Sequence, residues 1–364
     1  MPAMVEWWGL IAIAEPWRGS LRLPHEKHMD VIVIGAGVAG VAAAVAARKA
    51  GATVQVVEQS AQVGGVAVSG HHLTICGLSP IDATTPELIE PQATAWWIPR
   101  LTNGVPFRRG RVWLWPTTPD RLASGLRTAL DELAIPLLTS CVPTIDADGN
   151  VRGADQCWQP RAVIDASGSA WWNATANTVR SAIQCGAWRA ELELTLANTP
   201  ANRRAALRRI AHLSPGIAFE PCADNRWQLS LDIIGDAHHA SACMAEAARL
   251  ISATVISHTS AIAERDVGGY AGIGLRELFS CTTRGLAWAA WPSEVHDANG
   301  VHWQWPAGDR HGCPPSLVKP LHAPDWLWCC GKGLAAAPEA AAALRVIGTG
   351  LALGNAVGTL VTTT

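Results

Sequence analysis

The glycine-rich stretch Gly35-Ala36-Gly37-Val38-Ala39-Gly40 follows directly on an apolar run at residues 30–34 and opens an alanine-rich segment, 41–50, that closes on Gly51. A second apolar run, 53–57, ends in Glu58 and Gln59. Strand, glycine turn, helix, strand and acid in this order are the pattern that binds a dinucleotide. The first glycine permits a tight turn, the second lets the backbone approach a pyrophosphate, and the third lets helix and strand pack closely. Free amides at the helix N-terminus favour an anion, and a carboxylate about twenty residues on is placed to accept ribose hydroxyls.

A glycine doublet, Val63-Gly64-Gly65, comes next, where the chain must pass close to the same cofactor. Nicotinamide dehydrogenases do not generally need it. With that doublet the stretch resembles the two-dinucleotide-binding-domain flavoproteins, and more specifically the glycine-doublet FAD-dependent oxidoreductases distantly related to fumarate reductase flavoproteins. Further blocks match in order. Arg161-Ala-Val-Ile-Asp-Ala166-Ser167-Gly168 is similar to the family's strand and turn, with Ser167 in place of the usual Thr. Leu327-Trp-Cys-Cys-Gly331-Lys332 and residues 338–358 resemble its closing block, and Gly274-Leu-Arg276-Glu277 and Trp291-Pro-Ser-Glu294-Val-His296 two intermediate segments. The resemblance implies FAD, held by residues 35–40, Glu58, Gln59, Gly64, Gly65, Ala166, Ser167, Gly168, Gly331, Arg345, Gly348 and Gly350, with adenine against the backbone at Cys141-Val142.

The resemblance also orders the catalytic candidates. A flavin performs the redox chemistry itself, so the protein must place a substrate at N5 and stabilise negative charge at N1 and O2. The helix start at residues 348–354 and Arg345 ahead of it suit the second task; the alternative for Arg345 is a salt bridge to Glu339. His71 and His72 follow the doublet and can serve as general acid or base, with Cys76 as a charge-transfer thiolate, or the histidines are ordinary loop residues with satisfied hydrogen bonds. Arg276, Glu294 and His296 are candidates on the substrate side. The reaction expected is hydride transfer between a small organic substrate and flavin N5, with an external electron acceptor or donor docking transiently. A flavin monooxygenase or halogenase ranks second, because Trp96-Trp97-Ile98-Pro99 is only faintly similar to the halogenase motif and Gly331-Lys332 replaces the hydroxylases' Gly-Asp. A non-catalytic FAD-binding electron-transfer partner ranks third.

These residues require an α/β fold: a Rossmann-like FAD-binding domain with a central parallel sheet, built from residues 29–169 and 323–364, and a mixed α+β substrate domain, 170–322, inserted between them. Residues 1–28 read as an irregular leader, with the first strand starting after Met29. Leu122, Leu126, Leu130 and Leu133 predict a helix over 119–134 with Asp120 as cap, followed by strands at 135–141, 143–147 and 151–157. In the insertion, 191–197 and 227–233 alternate with period two, 240–263 reads as an amphipathic helix, and Arg203, Arg204, Arg208 and Arg209 share a short helix whose face is solvated rather than a docking patch.

Composition narrows the partners. With 28 basic and 30 acidic residues, no net field selects nucleic acid or an anionic membrane, and 49% hydrophobic with 16% charged residues excludes disorder. The ten cysteines form no CxxC pair and read as reduced thiols of a cytoplasmic protein; Cys329-Cys330 is a pair of core strand residues or, alternatively, a vicinal disulfide. His238-His239 reads as a helix start rather than a metal site. No stretch spans a membrane: residues 7–14 are too few, and 346–364 carries too much Gly, Thr and Asn. The 18 tryptophans against 3 phenylalanines and 1 tyrosine are mostly packing, with Trp97, Trp113, Trp291 and Trp305 the ones placed to line a ligand.

Overall fold

The computed structural model describes residues 26–168, 178–180, 185–223, 225–259, 263–264 and 268–363; the leader up to residue 25 and Trp171-Trp172 lie outside the described residues. In chain order the elements that frame the site begin with strand β1 (Glu26–Ile34), helix α1 (Val38–Lys49), strand β2 (Val54–Val57), helix α2 (Pro119–Glu132) and strand β3 (Gln156–Asp165). Then come strand β4 (Gly186–Glu193), helix α3 (Pro200–Ile210), strands β5 (Ile217–Ala223) and β6 (Arg226–Ile233), helix α4 (Ala237–Ile251) and strand β7 (Thr254–His258). Strand β8 (Ser293–Asp297), strand β9 (Leu327–Cys329), helix α5 (Pro338–Leu344) and helix α6 (Ile347–Leu360) complete the frame.

The central sheet runs Leu137–Leu138, β2, β1, β3, with β9 also parallel to β3 and two short antiparallel strands beyond it. All four residues of β2 and residues 31–34 of β1 are buried, as expected of parallel strands covered on both faces. Helix α1 is buried along ten of its twelve residues because α6 lies across it. Its alanines and the glycines of α6 allow the two backbones to approach, and a Cβ on Gly354 or Gly358 would fall 2.3 or 2.1 Å from the carbonyl oxygens of Ala39 and Ala43.

A second sheet, β5-β6-β4-β7, is antiparallel throughout. Trp188, Ala190 and Leu192 of β4 and Trp227, Leu229 and Leu231 of β6 form a separate core with α3 and α4. The alternate residues, Arg189, Glu191, Gln228, Ser230 and Asp232, therefore share the opposite face. From the segment expected as the insertion, 170–322, residues Ile273, Leu278, Ala287, Ala289, Cys313 and Leu317 pack into the first core with α1 and α6.

Several local expectations are corrected. Strand β1 starts at Glu26 rather than Asp30, since residues 26–29 pair in register with 157–160 of β3. Thr118, not Asp120, caps α2 by accepting the Arg121 amide at 3.1 Å. The strand expected at 191–197 lies five residues earlier, paired along its whole length with β6. The helix expected over 240–263 ends at Ile251, where Ser252 turns left-handed (φ 58°) and the β-branched run that follows forms β7. Asp236 caps α4 by accepting the His239 amide at 2.9 Å, so His238 and His239 do open a helix. Cys329 and Cys330 are buried free thiols. Among the described residues no single helix is long and apolar enough to cross a membrane; α5 and α6 reach that length only together, bent by 93°.

Candidate active site

The glycine turn after β1 is fixed by its neighbours. Gly35 has a positive φ (104°), and a Cβ there would lie 2.5 Å from the Ala166 carbonyl oxygen, so no other residue fits between β1 and the turn after β3. Ala36 is a pin rather than a contact surface. Its amide donates to Glu58 Oε2 at 2.6 Å and its carbonyl accepts the Gly64 amide at 2.8 Å, tying the acid after β2 and the glycine doublet to the turn. Glu58 Oε1 accepts the Ser60 amide at 2.8 Å. Around Gly37 a Cβ would meet nothing within 4 Å, and no side chain caps α1, so the start of the helix borders open space.

That space is a cavity of about 760 Å³. Of the residues assigned to the cofactor from the sequence, Gly35, Gly37, Val38, Ala39, Glu58, Gln59, Gly64, Gly65, Val142, Ala166, Ser167, Gly168, Gly331, Arg345 and Gly350 line it. Ala36, Gly40 and Gly348 do not. Gly40 packs on the Gly35 carbonyl, and the Gly348 amide is taken by the Cys76 carbonyl at 2.8 Å. Ser167 directs its hydroxyl to buried Asp165 at 2.7 Å, whose other oxygen accepts from the chain's sole tyrosine, Tyr270, at 2.7 Å. Val63, Lys332, Val346 and Ile347, which lie within the quoted motifs, also line the cavity, as do residues 60–62 and 66–69, which no motif marked. Helix α6 enters it without a side-chain cap, so two long helices present N-termini to one cavity.

Arg345, at the α5–α6 joint, donates to the Glu294 carbonyl at 3.1 Å and lies 3.8 Å from the Glu294 carboxylate, so its partner is Glu294 and not Glu339. Glu294 in turn meets His296 Nε2 at 3.0 Å, and His296 Nδ1 meets Asp232 at 2.7 Å.

Apart from Arg345, the expected catalytic side chains lie outside the cavity wall. Half-buried His71, in a left-handed conformation (φ 51°), sits against the polar face of the second sheet, its Nε2 3.2 Å from Ser257 Oγ. Burial holds its ring below the usual histidine range. His72 lies beside it, half-buried. Gln228 and Arg189 donate to the carbonyls of His71 and Gly70, anchoring the loop to that sheet. For Cys76, burial first and the nearby Glu294 second push the thiol up to about 12, so near neutral pH it is not the expected charge-transfer thiolate. Arg276 is exposed and lines a separate hollow of about 570 Å³ with Phe279, Trp305 and Glu339. Of the four singled-out tryptophans none lines the cavity: Trp97 is core, Trp113 donates to the Ala83 carbonyl, Trp291 donates to Glu294, and Trp305 stacks on Trp303.

Residues 30–182 match the family model described as FAD dependent oxidoreductase. The protein is a FAD-dependent oxidoreductase. FAD is its cofactor, and the cavity suits it on three counts: a carboxylate pinned beside the turn, a side-chain-free opening at Gly37, and two helix N-termini that no side chain caps. The search of curated proteins returned no match. Solved structures similar to this flavoprotein include a flavoprotein/dehydrogenase from Cytophaga hutchinsonii, 14% identical over 93% of this chain and 78% of that one, TM-score 0.45. A geranylgeranyl bacteriochlorophyll reductase-like protein from Thermoplasma acidophilum is 11% identical over 93% and 79%, TM-score 0.48. A 2-methyl-3-hydroxypyridine-5-carboxylic acid oxygenase is 14% identical over 68% and 72%, TM-score 0.43.

Proposed function

We propose that this chain passes a hydride between a small organic substrate and flavin N5, with an external acceptor or donor completing the cycle. The observation that carries the reading is the end of the cavity where Arg345 and the uncapped N-terminus of α6 meet. When bound, FAD supplies the hydride-accepting ring and gains negative charge on reduction. A cation and helix N-terminal amides favour that charge. At the opposite end Glu58 would hold ribose hydroxyls, the α1 amides the pyrophosphate, and the backbone at Val142 the adenine.

The substrate is placed beside the loop after the doublet, where that loop is hydrogen-bonded to the polar face of the second sheet. There His71, Ser257, Glu191 and Gln228 offer donors and acceptors to a polar molecule, and His71 is the side chain best suited to hold or give up a proton. The kinship with fumarate reductase flavoproteins rests on the doublet and the closing block.

Anaerobic mixing of the FAD-loaded protein with candidate metabolites tests the reading. The expected result is bleaching of the flavin band by a substrate alone. Bleaching only by a nicotinamide nucleotide, with oxygen then incorporated into the substrate, would assign the chain to the monooxygenases instead.

A further inference from the structure

Three acidic or basic side chains from two strands form an unbroken line between the second sheet and Arg345. Asp232 of β6 is 1% exposed at its side chain, His296 of β8 is 5% and Glu294 of β8 is 18%. Both ring nitrogens of His296 face carboxylate oxygens, Asp232 Oδ2 at 2.7 Å and Glu294 Oε1 at 3.0 Å. A carboxylate oxygen without a proton only accepts, so the two gaps are filled by two hydrogens shared over three groups.

The ends of the line are held. Ser214 Oγ donates to the Asp232 carbonyl and the Asp232 amide donates back to it, while Gly216 leaves room for the carboxylate, since a Cβ there would fall 1.9 Å from Asp232 Oδ2. At the other end Glu294 Oε2 accepts from the Trp291 indole at 3.3 Å and lies 3.8 Å from Arg345. A strand that displays a histidine to a buried carboxylate and, two residues away, a glutamate to both that histidine and a guanidinium has no packing reason to do so, because burying charged groups costs more than burying apolar ones.

We propose that Asp232, His296 and Glu294 are a proton-holding relay that positions Arg345 and couples a proton to the charge at its end of the cofactor cavity. This rests on the flavin reading above. A hydride delivers two electrons and one proton, leaving one added negative charge. That charge favours the relay with one more proton, drawn from solvent, and by reciprocity the protonated relay favours reduction. Nothing in the relay is oxidised or reduced. Arg345 and Cys76 face it at Glu294; Asp297 and His302, at the outer end of β8, pair with each other at 3.1 Å.

The test is the midpoint potential of bound FAD against pH, by anaerobic dye titration. The wild-type chain should show an inflection that vanishes in His296→Gln and weakens in Asp232→Asn, which breaks the line at its buried end. Glu294→Gln, at a less buried position, keeps His296 but disconnects it from Arg345 and should flatten the inflection, so the outcome does not hang on the folding of the Asp232 variant. Superimposable curves for wild type and His296→Gln, or a shift equal at every pH, would make the trio a structural tie and overturn the relay. A chain that takes up no FAD would instead overturn the cavity assignment, a separate result visible before any titration.

Discussion

Glu58 does more than wait for a ribose. Each of its oxygens already accepts one backbone amide, Ala36 at 2.6 Å and Ser60 at 2.8 Å, so the carboxylate fixes the shape of the glycine turn and of the loop after β2 while its remaining lone pairs stay open to a ligand. Glu58→Gln keeps the volume but turns an amide donor toward one of those backbone donors. A hydrogen bond to a charged group contributes about 1.5–3 kcal/mol, so the dissociation constant of FAD should rise roughly 10- to 100-fold. Release of flavin fluorescence on dilution measures it. An unchanged constant would mean that the backbone alone shapes the turn.

At the scale of elements, the cavity depends on how closely α6 lies on α1. The contact is backbone on backbone: Gly354 opposite Ala39 and Gly358 opposite Ala43, one helical turn apart on both helices. Gly350 continues the same row to the cavity wall, where its added Cβ would meet the Ala39 side chain at an ordinary 3.7 Å. Gly358→Ala must therefore push the helices apart, at a cost of about 1–3 kcal/mol, and lower the melting temperature by a few degrees. Gly350→Ala should melt close to wild type. Equal melting of both variants would show that the helix spacing is not set by these glycines.

At the scale of the molecule, what was legible in the sequence was what is local. The turn, α1, β2, the acid and the doublet lie within forty residues, and spacing alone places them in one unit. The partners of Arg345 and Cys76 were not legible, because Glu294 lies 51 residues from Arg345 and reaches it only through the fold. Nor was the end of α4, where a serine rather than a glycine takes the left-handed turn. The polar face of the second sheet was visible as alternation in residues 227–233, but what it faces depends on how two cores meet.

Where they meet, buried Glu220 of the second sheet is gripped by Arg109 of the first core's outlying strand at 2.9 Å and by Arg203 of α3 at 2.6 Å. Burial pushes its carboxyl above the ordinary value near 4.5, and the two guanidiniums pull it back. With Arg109→Ala and Arg203→Ala combined, the carboxyl keeps only the effect of burial. The folded chain then holds its proton at a pH where the unfolded chain has lost it, so the penalty is absent below the unfolded value and grows as pH rises through the folded one. Relative to wild type, the double variant should lose little stability near pH 4 and about 3 kcal/mol near pH 7, the scale of a broken buried pair. Adding Glu220→Gln should recover most of that loss by removing the buried charge. Denaturant titrations at the two pH values decide it: a loss equal at both, unrelieved by Glu220→Gln, would show that the arginines act by packing their stems between the cores and not by neutralising Glu220.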